Sequence, residues 1–174
     1  MGASVYICRT ETAEGTRDYV TLLPPDFTGQ HGLIKEAIVG MLTRPLDPEK
    51  PDITPESFAR NGVFVDFMHE MIGRAGPQHA GLQAAAKQRG NGQVYIVDLR
   101  LPENEKVEPE DIVGAFQAKD GQIVPGSYSR NPEHRILSRR GFFRLDAGLH
   151  QYLIQELVRR SDRNLKAQTT KEAD

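Results

Sequence analysis

The sequence predicts an α+β fold with a mostly antiparallel sheet, a central helical segment and a C-terminal helix. Three observations predict it: strand-like apolar runs lie near both ends of the chain, apolar residues recur at helical spacing in the middle, and one apolar stripe precedes the C-terminus. Segregated strands and helices are typical of this class. A chain of 174 residues, 38% hydrophobic and 26% charged, can bury a core in one domain. We expect that domain at residues 1–160 and a polar, disordered tail at 161–174.

The first third of the chain predicts two strands and then two helices. Residues 4–8 and 18–23 are rich in apolar and β-branched side chains, and a polar, hairpin-like link joins them. Over residues 32–42, apolar side chains recur at helical spacing, which indicates an amphipathic helix. The Thr-Pro-Glu triplet at 54–56 is a helix-start signature, because threonine can cap and proline fits the first helical position. We expect this second helix to end near residue 61.

The rest of the chain predicts three more helices and four more strands. Apolar side chains at helical spacing predict a helix that begins at residue 64 and ends near residues 73–77. An alanine-rich stretch predicts another helix at 78–89, which stops at the glycines that follow. The predicted strands are residues 94–99, 112–118, 122–124 and 141–145. Between the second and third of these strands, Asp120 and Gly121 can supply the positive φ angles of a tight hairpin turn. Asp146 can cap the final helix. The apolar stripe of that helix comprises Leu149, Tyr152, Leu153 and Leu157.

Composition and charge narrow the function classes. The net charge is -2 and the isoelectric point is about 6.2, which argues against a general nucleic-acid binder, since such proteins are usually basic. The sequence contains no run of about eighteen apolar residues and no basic stretch followed by an apolar one at its start. The single cysteine, Cys8, lies in an apolar run and suits a buried thiol in a reducing compartment. We therefore expect a cytoplasmic protein without membrane contact.

Searches for catalytic and metal-binding motifs are negative. The phosphate-binding Gly-x-x-x-x-Gly-Lys pattern is absent, and the glycines at 90–92 precede a predicted strand instead of opening a helix. His69 and Glu70 begin like a zinc-protease motif that lacks its second histidine. Ser127 lacks the sequence context of a nucleophile elbow. We expect no metal site, and a non-catalytic role is favoured over an enzymatic one.

The segment 130–144 carries the strongest functional signal. Its basic residues are five arginines and one histidine, and it contains no lysine. A planar guanidinium can form paired hydrogen bonds with a phosphate or carboxylate, whereas lysine offers a point charge. The predicted ligand-binding residues are Tyr128, Arg130, His134, Arg135, Arg139 and Arg140.

Three interpretations of this segment are open. Its arginines can form a solvated surface that pairs with the acidic loop at 103–111, in which case each pair contributes about 0–1 kcal/mol. They can instead hold the phosphate or carboxylate of a small anionic ligand. They can also form a protein interface, including one between two copies of the chain in a homodimer, since arginine and tyrosine are common among binding anchors.

A second signal is a local resemblance that covers about a quarter of the chain. Val94-Tyr95-Ile96-Val97, Pro102 and Asp111-Ile112-Val113-Gly114-Ala115-Phe116 resemble the later sheet strands of cholera-toxin-like mono-ADP-ribosyltransferases. The resemblance implies NAD as a cofactor and an NAD-contacting arginine at the end of an early strand, where Arg9 stands here. Two family features are unmatched: residues 63–66 contain no serine or threonine, and residues 117–122 contain no glutamate where the catalytic one is expected. The catalytic residue therefore stays unknown.

Two functions follow from these signals. The first is a non-catalytic binding or protein-interaction module that needs no cofactor and uses the arginine-rich segment to hold an anionic ligand or an acidic partner. The alternative is a divergent or degenerate NAD-dependent ADP-ribosyltransferase of the toxin type. The absence of catalytic motifs favours the first function.

Overall fold

The computed structural model describes residues 4–173 and has four helices and antiparallel sheets, which confirms the predicted α+β class. The chain divides into two compact units. Of the described residues, 4–67 and 153–173 form the terminal unit, and 68–152 form the central unit. The unit boundaries fall inside two helices, so each of these helices begins in one unit and ends in the other.

The terminal unit is built on a four-stranded antiparallel sheet. Its strands follow one another in space as they do along the chain: β1 (Tyr6–Thr12), β2 (Gly15–Thr21), β3 (Ile38–Leu42) and β4 (Phe58–Arg60). Both predicted strands are present, but they extend into the predicted link, so that only Ala13 and Glu14 separate them. A short helix, α1 (Pro25–His31), follows β2 and has its proline at the first position.

The two helices predicted at 32–42 and 54–61 are wrong. Each prediction falls on a single 3₁₀ turn followed by a strand: Lys35–Ala37 leads into β3, and Pro55–Ser57 leads into β4. Because β3 lies between β2 and β4 and its five residues are all at least partly buried, it is apolar on both faces and shows no alternation. The cap predicted at Thr54 does form, with Ser57, but it closes only one turn.

The central unit contains two helices followed by a second sheet. The helices are α2 (Gly62–Ala75), which begins in the terminal unit, and α3 (Ala80–Arg89). The sheet strands are β5 (Gly92–Val97), β6 (Ile112–Lys119), β7 (Gln122–Ile123) and β8 (Ser129–Arg130). β5, β7 and β8 all pair antiparallel with β6. Asp120 and Gly121 have φ angles of 52° and 75°, which confirms the predicted tight turn.

A small hairpin and a long helix complete the chain. β9 (Leu137–Ser138) pairs with β10 (Gly141–Phe142), so the strand predicted at 141–145 is shorter than expected. α4 (Ala147–Glu172) begins at the predicted cap, where Asp146 Oδ1 accepts a hydrogen bond from the Gly148 amide at 2.8 Å. Residues 161–172, predicted as a disordered tail, continue α4 as helix, and Ser161 is buried there.

The two units contain two copies of one strand motif. The first copy is residues 35–61, and the second copy is residues 109–131. Each copy begins with a 3₁₀ turn, continues as a strand through Glu-x-Ile-Val-Gly and ends with an Arg-Asn pair. In both copies the preceding strand has a bulge at the same place: Thr21 pairs with Ile38 after the bulge in β2, and Val97 pairs with Ile112 after the bulge in β5.

The asparagine of each copy closes the motif. Asn61 Nδ2 donates to the carbonyls of Lys35 and Ile38 at 2.9 and 2.8 Å. Asn131 Nδ2 repeats both bonds on the equivalent carbonyls at 2.7 and 2.8 Å. Each asparagine amide also donates, at 3.0 Å, to the valine carbonyl of the neighbouring strand. The Lys35 and Pro109 carbonyls also accept the amides of Ile38 and Ile112 within their turns, so the asparagine adds a second bond there and ties the 3₁₀ turn to the start of the strand.

A glycine in each copy allows close contact with an aromatic ring. A Cβ added at Gly40 would lie 2.3 Å from the ring of Phe58 and 2.5 Å from the carbonyl oxygen of Ala59. A Cβ added at Gly114 would lie 2.6 Å from the hydroxyl of Tyr128 and 2.7 Å from the carbonyl oxygen of Ser129. No other residue fits at either position without movement of the neighbouring strand.

Candidate functional site

A network of buried charges lies at the ends of β5 and β6 in the central unit. Asp98 follows β5 directly and is fully buried. Its Oδ1 accepts hydrogen bonds from the amides of Arg100 and Arg144 at 3.1 and 2.8 Å. Its Oδ2 lies 2.9 Å from Nε2 of the buried His134. Asp98 therefore connects the end of β5 to the interior and to the C-terminal end of the arginine-rich segment, at His134 and Arg144.

Arg100 extends this network to the backbone. Its side chain is 1% exposed, and its guanidinium donates to the carbonyls of Ile136 and Gly141 at 3.4 and 3.2 Å and to the carbonyl of Glu110 at 3.0 Å. Its Nε lies 3.5 Å from an oxygen of Asp98 and 3.7 Å from an oxygen of Asp111. A buried cation between two carboxylates is compensated electrostatically, and here it also fixes the β9–β10 hairpin.

Arg140 binds the opposite side of Asp111. Its Nη1 donates to Asp111 Oδ2 at 2.9 Å, and its Nη2 contacts the carboxylate of Glu105 in the acidic loop. The hydrogen bond with Glu105 raises the pKa of Arg140 above its ordinary value. Asp111 is fully buried and also accepts a hydrogen bond from the Glu108 amide at 3.2 Å. The acidic loop is therefore tied to the arginine-rich segment through the buried Asp111, the partly exposed Arg140 and the exposed Glu105.

The predicted ligand-binding residues divide into an inner and an outer set. His134 and Arg140 belong to the buried network. Tyr128 is also on the inside, because its hydroxyl lies 2.6 Å from Nδ1 of His69 and its ring lies 5.0 Å from that of Phe116. Burial raises the pKa of Tyr128, so its hydroxyl stays protonated. These three side chains hold the segment in place.

The outer set consists of Arg130, Arg135 and Arg139. Arg130 lies on β8 opposite Gly114 and is exposed. The Arg135 side chain is 65% exposed and lies 3.4 Å from a Glu110 oxygen. Arg139 is exposed and forms no ion pair with any of residues 4–173. The structure thus pairs part of the arginine-rich segment with the acidic loop and leaves Arg139 available at the surface.

Between His134 and Arg140, two exposed arginines flank three consecutive buried residues. Ile136, Leu137 and Ser138 are buried, whereas the arginines on either side of them are exposed. The Phe143 amide donates to the Ile136 carbonyl at 2.8 Å, in line with the pairing of β9 and β10. Residues 137–142 consequently form an ordered hairpin in which Leu137, Ser138 and Phe142 are buried and Arg139 is exposed at the turn.

Sequence reasoning missed three central residues of this network: Asp98, Arg100 and Asp111. A signal for them exists, because Asp98 interrupts the apolar run that forms β5, and Asp111 immediately precedes the apolar start of β6. A charged residue inside such a run is rarely buried unless it is paired. The pairing with His134 spans 36 positions along the chain, which no local pattern reveals.

Arg9, the residue implied to contact NAD, is paired within the terminal unit. Its Nε and Nη2 donate to the two oxygens of Asp18, both at 2.8 Å. Asp18 is fully buried, and this hydrogen bonding lowers its pKa. The Leu46 amide donates to the same carboxylate at 2.7 Å, and Arg9 Nη2 donates to the Leu46 carbonyl at 3.2 Å. The pair fixes the loop after β3, and an NAD-contacting role for Arg9 stays a prediction.

The described residues form neither a metal-binding cluster nor a membrane-spanning helix. Among residues 4–173, no three His, Cys, Asp or Glu side chains are grouped so that they could hold a metal ion. None of the helices in that range is both long and apolar enough to cross a membrane. No family model, no curated protein and no solved structure matches the chain.

Proposed function

We propose that the chain is a non-catalytic binding module that holds an anionic ligand or an acidic partner on its arginine-rich segment, residues 130–144. The observation that carries this proposal is the arrangement of residues 134–140, in which three consecutive buried residues separate the exposed Arg135 and Arg139. Buried charges anchor both ends of this stretch, and Arg135 and Arg139 project between them.

Order in the free protein favours binding. Holding a loop in one conformation costs conformational entropy, and a loop that is already ordered loses less when a ligand binds. The hydrogen bonds of Asp98 and Arg100 to the segment supply this order before any ligand arrives. Arginine is also enriched among the residues that contribute most to interfaces.

The acidic loop limits which arginines take part. Glu105 and Asp111 already engage Arg140, so that residue is a positioning residue and not a ligand contact. Glu110 lies near Arg135, but most of the Arg135 side chain stays exposed to solvent. Arg139 has no competing carboxylate among residues 4–173 and is the main candidate for contact with the ligand.

Charge reversal at the two outer arginines tests the proposal. Binding of a hexaglutamate peptide and of inorganic phosphate would be measured by isothermal titration calorimetry for the wild type and for Arg135→Glu/Arg139→Glu. Lys87→Glu/Lys119→Glu makes the same change in net charge at exposed positions of the same unit and serves as the matched control. Comparing the two probes distinguishes an extended acidic partner from a small anion.

We expect the arginine variant to lose at least about tenfold in affinity, since a charge-assisted hydrogen bond contributes about 1.5–3 kcal/mol. The lysine control should lose far less at physiological salt, because exposed charges beyond about 8 Å are screened. Equal losses of affinity in both variants, or no binding of either probe, would contradict the proposal and would mean that the arginines only form a solvated surface.

A further inference from the structure

A groove in the terminal unit has the composition of a second anion site. It lies between the 3₁₀ turn before β3 and the C-terminal half of α4, and its volume is about 740 Å³. Cavities that bind small molecules are typically about 300–1,000 Å³. The groove belongs to a different unit from the arginine-rich segment, so its function can be tested independently.

The charges in the groove are predominantly positive. Lys35, Arg160 and Arg163 line it, against the single carboxylate of Glu36. Arg160 and Arg163 are three positions apart on α4, which places them on the same face of the helix. Lys35 and Arg163 are exposed, and neither forms an ion pair with another of residues 4–173. Two cations in the groove are therefore available to a ligand.

Arg160 is held in a fixed orientation. Its guanidinium lies 4.5 Å from the centre of the Phe67 ring and 3.6 Å from a Glu36 oxygen. Stacking on an aromatic ring and pairing with a carboxylate both restrict a guanidinium plane. Glu36 thus offsets Arg160, and the surplus positive charge of the groove comes from Lys35 and Arg163.

The remaining lining determines the class of ligand. Leu33 and Ile34 contribute apolar surface beside the two available cations, and Asn164 contributes an amide that can donate or accept. We propose that this groove binds a small organic anion, in which Lys35 and Arg163 hold a phosphate or carboxylate group and Leu33 and Ile34 contact an apolar chain.

A ligand series tests separately whether the groove binds the anionic group and whether it binds the apolar chain. Hexyl phosphate, hexanoate, inorganic phosphate and hexanol would be titrated against ¹⁵N-labelled protein, with the amides of residues 33–36 and 160–164 as reporters. Hexyl phosphate should bind about tenfold or more tightly than inorganic phosphate, because buried methylene groups add affinity. Hexanol should bind far more weakly than either hexyl anion. The ranking of hexyl phosphate against hexanoate identifies the preferred head group.

Two double variants decide whether Lys35 and Arg163 are responsible for binding hexyl phosphate. Lys35→Gln/Arg163→Gln removes the two available charges, and Lys166→Gln/Lys171→Gln removes two exposed charges of α4 outside the groove. We expect at least a tenfold loss of hexyl phosphate affinity in the first variant and less than a twofold loss in the second. If Lys35→Gln/Arg163→Gln melts at a lower temperature, Arg163→Gln alone supplies the comparison. Equal losses in both double variants, or no shift of the reporter amides at millimolar hexyl phosphate, would overturn the proposal.

Discussion

The first copy of the strand motif, residues 35–61, and the second copy, residues 109–131, share a backbone but differ in polarity. Both have the 3₁₀ turn, the buried glycine and the asparagine that closes the motif. The position after the preceding strand is a buried leucine, Leu22, in the terminal unit and a buried aspartate, Asp98, in the central unit. The ring over the glycine is Phe58 in the first copy and Tyr128 in the second.

The continuation after the asparagine differs as well. Asn61 is followed at once by α2, whereas Asn131 is followed by the arginine-bearing hairpin before α4 begins. The polar residue Asp98, which replaces the leucine of the terminal unit, contacts this extra segment directly. It forms hydrogen bonds with His134 and with the Arg144 amide. Hydrogen bonds to the backbone, including those from the asparagine side chains, therefore specify the motif, while buried charges fix the segment that follows it.

Buried charges are a costly way to attach a segment. Removing two ions from water costs several kcal/mol each, and a well-packed apolar cluster would be at least as stabilising. Hydrogen bonds are directional, whereas apolar contacts are not. Those that Asp98 and Arg100 form with the hairpin and the residue after it therefore fix the hairpin in a single position. We infer that the network of Asp98, Arg100 and Asp111 contributes to the positioning of Arg135 and Arg139 more than to total stability.

Replacing Asp98 with leucine, the residue at the equivalent position of the terminal unit, should cause the largest loss of stability. Asp98→Leu leaves the buried His134 without its carboxylate and the buried Arg100 with Asp111 alone, and breaking a buried pair costs about 3–5 kcal/mol. The free energy of unfolding would be measured by urea titration and circular dichroism, since the chain contains no tryptophan. Leu22→Met, at the equivalent position of the terminal unit, should cost less than about 1.5 kcal/mol. A neutral or stabilising Asp98→Leu would show that the network is dispensable.

Substitution of the two buried glycines, Gly40 and Gly114, should lower stability by similar amounts that are smaller than the loss in Asp98→Leu. Gly40→Ala and Gly114→Ala each push a methyl group against a ring and a backbone carbonyl, which should destabilise the protein by about 1–3 kcal/mol. Gly62→Ala is the control, because nothing lies within 4 Å of its added Cβ and alanine favours the helix. If only one of the two glycine variants is destabilised, the copies are not packed in the same way.

The exchange of Tyr128 for the phenylalanine of the first copy should have the smallest effect. Tyr128→Phe removes the 2.6 Å hydrogen bond to His69 but keeps the ring against Gly114, so we expect a loss of about 1 kcal/mol. Tyr95→Phe, at a residue 53% exposed, should leave the unfolding midpoint unchanged. A loss above about 3 kcal/mol would mean that the hydroxyl also fixes parts of the structure beyond His69.

The parts of the fold that depend on local patterns could be predicted from the sequence. The helices at α2, α3 and α4, the cap at Asp146 and the turn at Asp120 and Gly121 all follow from spacing or backbone preference over a few residues. The prediction at 32–42 is wrong because burial on both faces of β3 removes the alternation that marks a strand. Local spacing cannot distinguish that situation from a short helix.

The candidate site was predictable only in part. The concentration of arginine at 130–144 is visible in the sequence, but its division into inner and outer residues is not. That division depends on Asp98, Arg100 and Asp111, which reach the segment across the fold. The shared Glu-x-Ile-Val-Gly and Arg-Asn strings were also present, and comparing them would have predicted two equivalent strand pairs.

Native-state hydrogen exchange tests the central claim, that buried charges hold the arginine-bearing hairpin in one ordered conformation. The reporters are the amides of Phe143 and Arg144, which donate to the Ile136 carbonyl and to Asp98 Oδ1. The reference is the Asn131 amide in the second copy, which donates to the Val113 carbonyl. We predict that both reporters exchange within about tenfold of the Asn131 rate, since they should open only when the unit opens. Exchange of Phe143 and Arg144 near the rate of an unfolded peptide, with Asn131 still protected, would contradict the claim.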